Sequence, residues 1–142
     1  MLSATLVLIM VSLLAASAFP AAFTVNLVGK WEGKISGIQY DPFATPDMAY
    51  YKDAAIIIRV LDKNGDRFYG EVSTGGQPYD KFTGVISPLG MGVATSKNTV
   101  VAINMPVLEA NYWRMTGHVQ NSHADGQLNT AKFAVHRTSL TP

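Results

Sequence analysis

Cysteine is absent from the chain. Disulfides, thiol nucleophiles, cysteine-ligated metals and a lipid-modified cysteine anchor are excluded, so stability must come from packing and strand pairing. Charge is scarce and balanced: 11 Lys and Arg against 10 Asp and Glu leave +1, with no basic run. Phosphate backbones are bound by clustered cations, so a nucleic-acid partner is not expected. No Asn-x-Ser/Thr sequon occurs, so N-glycosylation has no acceptor. There is no Gly-x-Ser-x-Gly elbow and no phosphate-binding glycine loop; the glycines fall inside strand-like stretches rather than between a strand and a helix.

The first charged residue is Lys30. Before it, Leu2 to Ala16 is apolar and ends in Ala16-Ser17-Ala18, a small-x-small site. This pattern predicts a signal peptide over residues 1–18, cleaved after Ala18, and hence a secreted or periplasmic protein. It departs from the usual form in lacking an early Lys or Arg. The alternative is an uncleaved membrane anchor formed by residues 2–23, nearly long enough to span a bilayer. What remains, residues 19–142, has the length of one domain and can bury enough surface to fold without staples.

What the chain does have is a repeated pattern of aromatic, any, Gly, any, aliphatic, Ser. It runs Trp31-Glu32-Gly33-Lys34-Ile35-Ser36, Phe68-Tyr69-Gly70-Glu71-Val72-Ser73 and Phe82-Thr83-Gly84-Val85-Ile86-Ser87. A looser copy is Met115-Thr116-Gly117-His118-Val119-Gln120. Side chains alternate faces along a strand, so the ring, the Gly and the aliphatic share one apolar face. Lys30, Glu32, Lys34 and Ser36 line the other, as in an antiparallel sheet with one wet side. A Gly between two large inward residues weakens a flat strand. It suits one that bends sharply or meets another chain closely, with an aromatic two residues away covering the gap. A closed barrel needs such bends, and is preferred to an open sandwich.

Turn signals divide the rest. Two prolines make Tyr40 to Asp53 a long loop holding Tyr40, Tyr50 and Tyr51. Ala54 to Leu61 is a β-branched strand, and Asn64-Gly65 is a hairpin turn into the Phe68 strand. Asp62, Asn64 and Asp66 have the opening spacing of a calcium loop, but Arg67 and Ser73 occupy the positions that need Gly and Glu. Gly75 to Pro78 and Ser87 to Gly90 are further turns. Pro106 ends or edges a strand from Thr99. Leu108 to Val119 changes parity at Tyr112-Trp113, which demands a bulge or a break into two strands. Asn121 to Gln127 is a polar loop, and Thr130 to Thr138 closes the chain with Ala131, Phe133, Val135 and Arg137 on one face. The expected fold is all-β: an antiparallel meander of about eight strands closing into a small barrel.

Gly29-Lys30-Trp31 at the start of the first strand, with Arg137 on the inner face of the last, resembles the calycin superfamily of lipocalins and avidins. The resemblance implies that Arg137 packs its cation on Trp31, whether or not anything is bound. It would place the two biotin-contacting positions of avidins at Gly33 and Gly37, which have no side chain to offer, so biotin binding is not carried over. A lipocalin-type role implies a small apolar molecule inside the barrel.

The titratable groups do not define a reaction. His118 and His136 fall on outward faces, and His123 and Asp125 share a solvated turn with no third ligand at a suitable spacing. Asp41 and Asp47 lie on a proline-containing loop that fixes no geometry. No catalytic residue, metal or cofactor is therefore assigned. The leading expectation is a non-catalytic exported barrel binding a small apolar or aromatic ligand, with Trp31, Tyr50, Phe68, Phe82, Trp113 and Arg137 as candidate lining. For Trp31, Phe68 and Phe82, simple core filling is the competing role. The alternatives are an isomerase- or cyclase-type barrel enzyme using Arg137, Asn111 or Glu109, and a structural or interaction domain with a filled core.

Overall fold

The computed structural model describes residues 26–87 and 91–142. The signal peptide expected over 1–18, the alternative anchor over 2–23 and most of the Ser87–Gly90 turn fall outside these residues. The described residues form eight strands: β1 (Gly29–Tyr40), β2 (Met48–Asn64), β3 (Arg67–Thr74), β4 (Asp80–Ile86), β5 (Met91–Ser96), β6 (Thr99–Glu109), β7 (Tyr112–Ser122) and β8 (Leu128–Ser139). Each strand pairs antiparallel with the next, and β8 pairs back onto β1 to close a barrel. Among the described residues there is no helix.

The alternation read from the sequence sets the inner face. Trp31, Ile35, Ile56, Ile58, Val60, Phe68, Phe82, Ala94, Ile103, Met115, Ala131, Phe133 and Val135 are all buried in one cluster. Burying these side chains is the main force that curls the sheet, because an open sheet would leave the same face wet.

The repeated glycines work across strands rather than within them. Phe68 on β3 lies opposite Gly84 on β4, and Gly70 on β3 lies opposite Phe82 on β4. A Cβ on Gly84 would sit 2.7 and 2.8 Å from Cε1 and Cε2 of Phe68, and one on Gly70 2.7 Å from Cζ of Phe82. Each ring therefore covers the glycine of the neighbouring strand, not the one two residues along its own. The two rings meet edge to face with centroids 6.1 Å apart, a favourable aromatic geometry. Gly117 and Phe133 repeat the arrangement between β7 and β8.

Two boundaries differ from the sequence reading, and one alternative it left open is decided. The loop expected from Tyr40 to Asp53 is shorter: β2 already begins at Met48. Its strand-forming tail contains a bulge at Asp53, where φ is +57° and the β1–β2 register slips between Ile35 and Gly37. The Asp53 amide donates to Ser36 Oγ at 2.9 Å, which anchors the extra residue. Pro106 does not end its strand. It sits in the irregularity between Asn104 and Val107, where the ladder asks for no N–H. The parity change near Tyr112-Trp113 is resolved as a break, with β6 and β7 joined through Ala110 at φ +49°. At the β2–β3 hairpin Gly65 takes the first central position with φ +61°, which suits a Gly-first type II′ turn.

Candidate functional site

Up-and-down strands give a barrel two ends, and here their inward side chains differ in size. At one end lie Asn26–Val28, the β2–β3 and β6–β7 hairpins and the C-terminal residues. Trp31 is 0 % exposed there, and Leu27, Val60, Met115 and Val135 are almost fully buried around it. Trp31 Nε1 donates to the Leu27 carbonyl at 2.9 Å, so the segment before β1 is folded under the barrel.

Arg137 completes this plug. Its guanidinium lies 5.2 Å from the Trp31 ring centroid and 5.8 Å from that of Trp113. It also donates to the Asn26 carbonyl at 2.6 Å. Partial burial pushes its pKa below the ordinary arginine value, yet a guanidinium stays charged throughout the usual pH range. The packing of Arg137 on Trp31 is the contact implied by Gly29-x-Trp31 and a late arginine.

The other end is open. Here the inward positions carry smaller groups, including Ala54, Val72, Ala94, Ser96, Thr99, Val101 and Val119. They leave a cavity of about 350 Å³. Its apolar wall and floor come from Ile35, Ile56, Ile58, Phe82, Ile103 and Phe133. Phe82 touches the plug through Phe68 and the cavity with the rest of its ring.

The rim is polar and nearly uncharged. Gln39, Tyr51, Gln77, Asn121 and Asn129 line it, and Asp80 is the one ionisable acid or base of ordinary carboxylate or amine type among the lining residues. Tyr51 Oη donates to Asn129 Oδ1 at 2.9 Å across the β2–β8 side of the mouth. Asn121 Oδ1 is buried and has no hydrogen-bond partner.

The six residues singled out from the sequence are dispersed. Only Phe82 lines the cavity. Trp31, Phe68, Trp113 and Arg137 belong to the plugged end. Tyr50 is 81 % exposed and lies on a shallow outer groove with Ile38, Lys52, His118 and Lys132. The Asp53 bulge is the reason: the extra residue flips the face of everything before it, so Tyr51 turns inward in place of Tyr50.

The groups considered for chemistry lie elsewhere. Glu109 pairs with Arg114 at 3.0 Å, and Asn111 is exposed in the β6–β7 hairpin, so neither lines the cavity. His118, His123, Asp125 and His136 are exposed. His123 and Gln127 close their turn through a backbone hydrogen bond. Among the described residues no cluster of three His, Cys, Asp or Glu side chains is placed to hold a metal.

Asn121 and Asn129 had a signal in the sequence. Asn121 lies two residues beyond Val119 and Asn129 two before Ala131, so each continues an inward alternation by one step. No protein-family model, curated protein or solved structure matches the chain.

Proposed function

We propose that this chain is an exported, non-catalytic, calycin-like barrel that holds a small apolar or aromatic molecule in its open end. The observation that carries this reading is the 350 Å³ cavity, with an apolar floor and polar groups confined to its rim. Ligand sites typically combine an apolar body with a few placed hydrogen-bonding groups, and this volume falls within their usual range. An eight-stranded barrel filled throughout would have large side chains at both ends. Export rests on the apolar N-terminus and its small-x-small site, together with the absence of cysteine-based anchoring.

Native mass spectrometry of protein purified from its own host tests the reading. The expected result is a small molecule that stays with the folded chain and is released on denaturation. Two results together sink it: no retained species, and no enhancement of an apolar fluorophore's emission by the folded protein.

A second reading, an interaction domain, is favoured by one feature of the outer wall. Val85, Val93 and Ala102 form a row across β4, β5 and β6 through direct cross-strand pairing, and all three are exposed. Val100, about half exposed, lies beside them. Sedimentation velocity over a range of concentrations separates the two: association abolished by Val93→Lys supports the wall as a contact surface.

A further inference from the structure

Four strands measure the depth of the cavity. Its lining runs from Gln39 to Ile35 on β1, from Ala54 to Ile58 on β2, from Thr99 to Ile103 on β6 and from Asn129 to Phe133 on β8. Each stretch climbs four residues, about 13 Å along the strand and about 10 Å along the axis of a barrel whose strands tilt by roughly 40°. Below it the next inward side chains, Val60 after Ile58 and Val135 after Phe133, are buried with Trp31. The floor is closed. Between rim and floor the girth is generous: beside Ile56 and Phe82, the lining there is Val72, Ala94, Val101 and Val119.

The hollow is therefore short for its volume. An apolar cavity of about 150 Å³ holds one benzene ring, so the 350 Å³ here has room for two. An extended alkyl chain advances about 1.3 Å per carbon, given bonds of about 1.5 Å, so the floor stops it after about eight carbons. A longer chain must coil or leave its end in water, and coiling freezes many bonds. A rigid pair of rings has little such freedom to lose. Phe82 and Phe133 present their own rings to the cavity, as partners for edge-to-face or offset contact. Among the described lining residues there is no Lys, Arg or His. A carboxylate or phosphate drawn inside would be stripped of water with no cation to pair with. Resting on the binding function proposed above, we infer that the cavity takes a rigid two-ring molecule carrying no anionic group. Straight-chain lipids are poor ligands, because the plug makes the hollow too shallow for them.

The test is isothermal titration calorimetry of the purified protein at neutral pH with phenol, 2-naphthol, decanol and 2-naphthoate. 2-Naphthol and decanol share their carbon number and a single hydroxyl, so the pair isolates shape. Decanol is the more apolar of the two, and hydrophobicity alone would favour it. 2-Naphthol is expected to bind about tenfold more tightly than each of the other three. Ala94→Leu, which fills the middle of the hollow, should weaken 2-naphthol about tenfold and leave phenol within about twofold of the parent. Val72→Leu on β3 should act the same way, and it carries the test if Ala94→Leu fails to fold.

Phenol, decanol or 2-naphthoate binding as tightly as 2-naphthol would overturn the inference while leaving the binding function intact. So would leucine variants that are folded by circular dichroism and bind 2-naphthol as the parent does. If none of the four compounds binds the folded protein, the binding function falls, and this inference falls with it.

Discussion

The two ends of the barrel are built from the same strands, yet one is solid and the other hollow. At the solid end the inward positions hold Trp31, Phe68 and Met115, with Leu27 and Arg137 closing beneath. At the hollow end the same strands contribute Ile35, Val72 and Val119, joined by Ala54, Ala94 and Ser96 from their neighbours. Backbone pairing continues through both ends, so the difference lies in side-chain volume and in the Asn26–Val28 segment folded under the solid end. A barrel of this strand number can fill itself or leave room for one small molecule. This one does each at a different height.

The largest effect should come from removing the plug. Trp31→Ala takes the most buried side chain from a packed site and strips Arg137 of one of its two rings. A loss of about 3–5 kcal/mol in denaturant unfolding is expected. An unchanged unfolding midpoint would mean that the closed end contributes little to stability.

Next comes the ring-on-glycine packing that joins the two ends. Gly84→Val places two methyl groups where the Phe68 ring lies, and the expected cost is about 1–3 kcal/mol. Pairing it with Phe68→Ala should relieve part of that loss, because the ring is what the new side chain strikes. A double mutant no more stable than the sum of its parts would argue that backbone contact dominates instead.

The sharpest contrast uses one substitution at both heights. Val135→Phe at the solid end should overpack and cost about 1–3 kcal/mol, whereas Val119→Phe in the hollow should stay within about 1 kcal/mol of the parent. Val119→Phe should also weaken binding of an apolar fluorophore at least ~10-fold, since the ring occupies the space the probe needs. Equal destabilisation at the two sites would erase the distinction between the ends.

The smallest effect lies on the outer face. Hydrogen bonds from Lys30 and Thr138 hold the Glu32 pKa below its ordinary value. A lowered carboxyl pKa contributes stability that is present above the unfolded value and lost as pH falls through the folded one. The Lys30–Glu32 pair, at 2.9 Å, is partly exposed, so its worth is at most about 1 kcal/mol. Glu32→Gln should lower stability near neutrality by no more than that amount and flatten the acid side of a thermal-stability profile, so that variant and parent converge at low pH.

Much of this was legible in the alternation of residue types. The inward rings, the meander order and the outward histidines follow from period-two patterning and a handful of glycines, whereas the stacking of Arg137 on Trp31 is what the resemblance to calycins implies. What escaped the sequence did so for identifiable reasons. The Asp53 bulge has no signature in residue type, yet it decides that Tyr51 rather than Tyr50 enters the barrel. The partner of each glycine is set by register between strands, which spacing along one strand does not specify. Asn121 reads as the start of a polar loop and Asn129 falls just before the strand expected from Thr130, although each sits in a strand and lines the mouth. A polar inward residue at a strand's end is where burial stops and recognition begins, so the residues that most resembled loop are those that shape the mouth.

Asn26 and Ser139 lie on the same side of the barrel, since Lys30 pairs with Ser139 and Arg137 grips the Asn26 carbonyl. A tether, tag or immobilising surface attached after Pro142 would therefore lie roughly 30 Å from the mouth, about one tilted strand away. A barrel fixed through a tag after Pro142 would therefore turn its opening away from the surface.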